Sequence, residues 1–139
     1  MRTFYIFKIK KEILVLLKET PYNLFKILEN LYYSNNRDLG VSFSIYNELL
    51  DNFDKDYLNK RIINLFKKYR YYSNENDVHY IYNKYRPENT SLRVYKSHLL
   101  LKSNVVQPTL LINYLNNDDF FVCDFKNKDY FWLNDYVRI

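Results

Sequence analysis

A mixed α/β domain is the fold class the sequence predicts, with a mostly antiparallel sheet of about five to six strands packed against helices and the first strand central. Three observations predict it. The amino-terminal stretch is rich in aromatic and β-branched residues on both faces, the first half then repeats apolar residues at helical period, and the second half switches to period-two alternation broken by polar turns. A chain of 139 residues fits one ordinary domain, long enough to bury roughly two thirds of the surface its unfolded form exposes. Residues 1–139 are therefore expected to form a single domain.

Residues 3–9 place Phe4 and Ile6 on one face and Tyr5 and Phe7 on the other, which suits a strand covered on both sides. After the charged Lys10, Lys11 and Glu12, a short helical turn carries Ile13, Leu14 and Leu17. Thr20 and Pro21 have the cap and first-turn chemistry of a new helix, on which Leu24, Leu28 and Leu31 bury one face with Phe25 and Tyr32 beside them. Residues 35–40 read as a loop. A helix capped by Ser42 or Ser44 follows, with Ile45, Leu49 and Phe53 as its stripe. Asp54 or Asp56 then caps another with Leu58, Ile62, Leu65 and Tyr69 at helical spacing, opposite Lys60, Asn64, Lys67 and Lys68. The first half is thus expected to be one strand followed by helices.

Residues 73–77 form a polar break, after which 78–82, 92–95 and 99–102 alternate as antiparallel strands. Gln107 and Pro108 open a last helix with Leu111 and Leu115, ended by residues 116–119. Strands at 120–125 and 130–133 close the chain, joined by a turn at 126–129 that lacks the favoured Asn-Gly pair.

Composition excludes more than it assigns. One glycine, Gly40, cannot build a Walker or dinucleotide loop, which needs several close backbone approaches to phosphate. One cysteine, Cys123, forms no internal disulfide, and its apolar setting reads as core. A reducing compartment is expected, and with no leader pattern and no apolar run near the roughly 18 residues of a membrane span, a cytoplasmic protein. The net charge of +5 and the 16 tyrosines would suit a nucleic-acid partner, but AT-rich codon usage explains both, since Lys, Asn, Ile, Tyr and Phe abound and alanine is absent.

Chemistry-bearing residues are few. His79 and His98 fall on different expected strands, and no cluster has metal-ligand spacing. Cys123 within an apolar strand is a protonated thiol, and the adjacent Asp118 and Asp119 more simply end a helix. A nucleic-acid reading joins Lys67, Lys68, Tyr69, Arg70, Tyr71 and Tyr72 to the strand tyrosines Tyr80 and Tyr82, cations holding phosphates and rings stacking bases. The same tract also suits a helix end whose cations complement its dipole. These residues point to no enzyme, no metal and no cofactor.

The run Phe120, Phe121, Val122, Cys123, Asp124, Phe125, then Lys128, Tyr130, Trp132, Leu133 and Asn134, resembles the closing hairpin of the SirA family, sporulation inhibitors of replication from spore-forming Firmicutes. The start, Tyr5 to Glu12, is similar to that family's opening strand and charged turn, and Leu24, Phe25 and Leu28 fall where the family has a helix. The resemblance implies a non-catalytic α/β protein; a monomer in isolation is expected. Its partner would be the N-terminal domain of the replication initiator DnaA, bound to block initiation during sporulation. It implies a contact set of Ile13, Leu17 and Lys18 on the first helix, and Ile45, Tyr46, Glu48 and Leu49 on the helix after the loop. Ile13 and Leu17 stand where the family presents two aromatic residues four positions apart, and Phe131 and Asp135 where it tends to have Gly and Pro.

Overall fold

An apolar strand with both faces to bury must sit in the middle of a sheet, and the amino-terminal strand does. The structure, a computed structural model, describes residues 1–34, 45–114 and 119–137. In chain order the elements are β1 (Arg2–Ile9), α1 (Lys11–Leu17), α2 (Pro21–Tyr32), a helical stretch at 45–49 (α3), β2 (Leu50–Asp51), α4 (Lys55–Phe66), β3 (Tyr72–Glu75), β4 (Val78–Asn83), β5 (Glu88–Val94), β6 (Leu99–Ser103), α5 (Thr109–Tyr114), β7 (Phe120–Asp124), β8 (Asp129–Trp132) and α6 (Leu133–Val137). The strands form one antiparallel sheet in the order β3-β4-β5-β6-β1-β7-β8, with β2 pairing β1. One edge of β1 is shared: β6 takes residues 2–6 and β2 takes Lys8 and Ile9.

The α/β class, the largely antiparallel pairing and the central first strand are as expected; the described residues form eight strands, not five to six. Two strands escaped the sequence reading. β2 has only two residues, too few to show a period. β3 lies in the polar stretch read as a break, because an edge strand with exposed faces needs no apolar alternation. Its turn into β4 uses Asn76 in the left-handed region, φ 53°, a conformation asparagine tolerates better than most residues.

Alternation along β1 divides the core. Phe4 and Ile6 join Leu58, Ile62 and Phe66 of α4, with Leu92, Leu99, Leu101, Leu110, Val122 and Leu133, on one face. Phe7 and Ile9 join Leu24, Phe25 and Leu28 of α2, with Phe121, Cys123 and Trp132, on the other. Helices thus cover both faces around β1, β7 and β8. Arg2 ties the start of β1 to the β7–β8 hairpin, its guanidinium donating to Asp124 at 3.0 Å and Asp129 at 2.8 Å. In place of Asn-Gly, the hairpin turn has Asn127 donating its backbone N–H and side-chain amide to Asp124, at 3.2 and 2.7 Å, and Lys128 at φ 57°.

Several local expectations change. The helix through Ile45 and Leu49 stops there, and Phe53 lies beyond β2 and packs into the other face's core. Asp54 is the cap of α4, accepting from the Tyr57 N–H at 3.2 Å. The buried stripe of α4 is Leu58, Ile62 and Phe66, leaving Leu65 exposed. Thr20 precedes α2 without capping it; its hydroxyl turns back toward the Leu17 carbonyl at 3.5 Å. α5 is not the last helix, since Leu133 opens α6. The expected loop at 35–40, Ser42, Ser44, Leu115 and Asp118 lie outside the described residues.

Candidate partner-binding surface

α1 begins one residue after β1. Lys10 keeps an extended backbone and caps nothing with its side chain, while its carbonyl receives the N–H groups of Ile13 and Leu14 at 3.0 and 2.9 Å. Both ends of the helix are fastened to other elements. The Lys10 N–H donates to the Leu49 carbonyl at 2.9 Å, which joins α1 to the end of α3. At the far end the Trp132 indole N–H donates to the Lys18 carbonyl at 3.2 Å. Two such ties hold a two-turn helix, too short to be stable alone, in one orientation on the sheet.

A helix this short buries only one side, and five consecutive apolar residues go all the way round it. Ile13, Leu14 and Leu17 take the inner side, half-buried against the core formed by Phe7, Leu24 and Trp132. Val15 and Leu16 point the other way and are 85% and 72% exposed. Glu12 and Glu19 lie exposed on the same outer side, with Lys11 and Lys18 also in solvent. The result is an apolar ridge flanked by carboxylates.

The expected contact residues divide accordingly. Ile13 and Leu17 share one face but present only their edges to solvent; Lys18, Ile45 and Glu48 are exposed. Tyr46 is half-buried, its hydroxyl donating to the Ser97 carbonyl, and burial pushes its phenol up. Leu49 is buried with Leu50 in the core below α2, so its side chain cannot reach a partner while the fold is intact. Val15 and Leu16 were missed because attention to two positions four apart selects the inner face. The unbroken apolar run was itself the signal that an outer face exists. On the same side of the sheet as α2, Leu28, Leu31 and Tyr32 with Tyr5, Tyr46 and His98 line a recess of about 220 Å³. Burial there pushes the Tyr5 phenol up to about 12 and the His98 imidazole down.

The other candidates are accounted for by packing. Cys123 is fully buried and burial pushes its thiol up, which removes the thiolate that a nucleophile requires. The His79 ring is buried, bonded to the Tyr72 hydroxyl and the Asn59 side chain, both at 2.7 Å. Among the described residues no group of three or more His, Cys, Asp or Glu is placed to hold a metal ion, and no helix is long and apolar enough to cross a membrane. Tyr69 and Tyr71 stack on each other at 5.0 Å and the Lys68 ammonium sits 5.2 Å from the Tyr69 ring, so this tract spends its aromatic faces on itself. Tyr72 pairs with Ile81 on the buried face, whereas Tyr80 and Tyr82 point to the opposite one. The tract and the strand tyrosines therefore do not share a surface. No known protein family matches the chain, and no curated protein matches it.

Proposed function

We propose that this protein acts without catalysis, by binding the N-terminal domain of the replication initiator DnaA and so inhibiting chromosome replication initiation during sporulation. The observation that carries the reading is the exposed Val15–Leu16 ridge on a helix fastened at both ends. Apolar side chains presented on a rigid helix face enter a hydrophobic groove with little ordering cost. The choice of partner rests on the resemblance of the closing hairpin and opening strand to the SirA family. Anchoring passes from the aromatic pair of that family to Leu16 and Val15, with the edges of Ile13 and Leu17 beside them and Glu12 and Glu19 at the rim.

Titration of the initiator's N-terminal domain from the same organism with this protein tests the proposal. Saturable binding is expected, and Leu16→Glu is expected to weaken it tenfold or more, because a charge would enter the apolar centre of the contact. Absence of binding at high micromolar concentration would overturn the choice of partner. An unchanged dissociation constant in both Val15→Glu and Leu16→Glu would overturn the choice of site.

A further inference from the structure

We propose that the uncovered face of β4, β5 and β6 is a binding surface for single-stranded nucleic acid. Among the described residues, the helices that cover both faces of β1, β7 and β8 leave this half of the sheet packed on one side only. His79, Ile81, Thr90, Leu92, Leu99 and Leu101 point into the core, and every alternate residue points out.

Register sets what the outward face presents. Tyr80 lies opposite Ser91, and Ser91 opposite Lys102, which makes one row across three strands. Val78, Arg93 and Leu100 make the next row. The small serine between a tyrosine and a lysine leaves a depression of about 270 Å³, with Arg93 and Tyr95 on its wall. Tyr82 continues the line of Tyr80 along β4 and is 61% exposed. Beyond it comes the turn of Lys84, Tyr85 and Arg86, shaped by Asn83 accepting from the Tyr85 and Arg86 N–H groups at 3.0 and 3.3 Å. Tyr85 is 97% exposed.

Charge selects the occupant. Arg93 and Lys102 stand within the face, and Lys84 and Arg86 at its end; beside it are two carboxylates of the described residues, Glu75 on the edge strand opposite Val78, and Asp77, which attracts the Arg93 guanidinium but is itself paired with Lys55 at 2.8 Å. Arg93 rests over the Tyr95 ring at 5.8 Å, and among the described residues neither it nor Lys102 makes an ion pair. Tyr80 and Tyr82 are spaced about 7 Å apart by strand geometry, so bases of an extended strand can stack on successive rings while the cations hold phosphates. A duplex hides its base faces and gains nothing from such rings. A protein partner would want a dry apolar centre, where this face places Ser91, Asn89 and two cations.

Fluorescence anisotropy of labelled oligo-dT and oligo-U, titrated with the full chain over a salt series, tests the proposal. Binding is expected at low salt, with a log–log slope of about −0.7 for each phosphate held. Replacing Tyr80 and Tyr82 together by alanine should weaken binding roughly tenfold or more, while the Phe pair retains most of the affinity. Lys102→Gln should reduce the slope by about 0.7. Unfolding midpoints of the variants, expected to match the parent, separate loss of binding from loss of fold. Leu16→Glu should leave oligonucleotide binding unchanged, since α1 lies elsewhere. No binding at low salt overturns the proposal. So does an affinity indifferent to the Ala pair, a duplex bound more tightly than the single strand, or equal competition by polyglutamate, which would mark a surface for acidic protein.

Discussion

His79 shows how a single buried residue couples the fold to pH. Its side chain has no exposure, and burial lowers its pKa from 6.5 to about 4, outweighing the opposite pull of Asp77. The ring is neutral in the fold and its partners fix the tautomer: Nε2–H donates to Asn59 Oδ1, whose amide Nδ2 donates to Asp77, and Nδ1 accepts from the Tyr72 hydroxyl. The unfolded chain takes up a proton below about pH 6.5 and the folded one does not until about pH 4. Stability is therefore expected to fall on acidification across that window, by up to about 3 kcal/mol. His98, lowered by burial as well, adds in the same direction. The carboxylates held down by cations, Glu29 by Lys128 and Lys26 and Asp77 by Lys55, add to the fall at the acid end of this window and below it, as pH drops from their ordinary values of 4.5 and 3.8 toward their lowered ones. Urea midpoints measured from pH 4 to 7 check this, and His79→Gln should flatten the larger part of the slope.

At the scale of elements, sequence signals succeeded where one local interaction decides the outcome. Asp54 caps α4 through the Tyr57 N–H, and Asp54→Ala is expected to cost about 1 kcal/mol of unfolding free energy. Thr20 occupies the equivalent place before α2 without a side-chain cap bond, so Thr20→Ala should change stability by less than about half of that. Denaturant titration of the two variants side by side distinguishes a cap residue type from a working cap. The reading failed where pairing is non-local. β3 is recruited by β4 through Ser73, Asn74 and Glu75, and β2 by the end of β1; neither segment has the apolar alternation that marks a strand in isolation.

Across the whole molecule, the double-sided core and the exposed ridge call for opposite responses to substitution. Ile6 is fully buried between β6 and β7, and Ile6→Ala is expected to destabilise by about 2–5 kcal/mol through lost contacts and the cavity left behind. Leu16→Glu, on the outer side of α1, should leave stability within about 0.5 kcal/mol of the parent. Equilibrium unfolding checks both, and a large loss in Leu16→Glu would mean that the ridge belongs to the core. The uneven placement of helices decides which surfaces remain: among the described residues both faces of β1 are closed, while β4, β5 and β6 keep one open.

The sequence by itself determined the α/β class, the central place of β1, the division of Phe4 and Ile6 from Tyr5 and Phe7 between its two covered faces, the core position of Cys123 and the closing hairpin. Each of these follows from periods and propensities that act within a few residues. Only the tertiary structure decided that Ile13 and Leu17 face inward, that Leu49 is core, that Val15 and Leu16 form the ridge, and that Tyr80 and Tyr82 share an open face with Arg93 and Lys102. Which side of an element meets water depends on what packs against it from elsewhere in the chain. The apolar run of α1 reads the same in sequence from either side; the Leu49 carbonyl and the Trp132 indole, binding its two ends, determine which side is left outside.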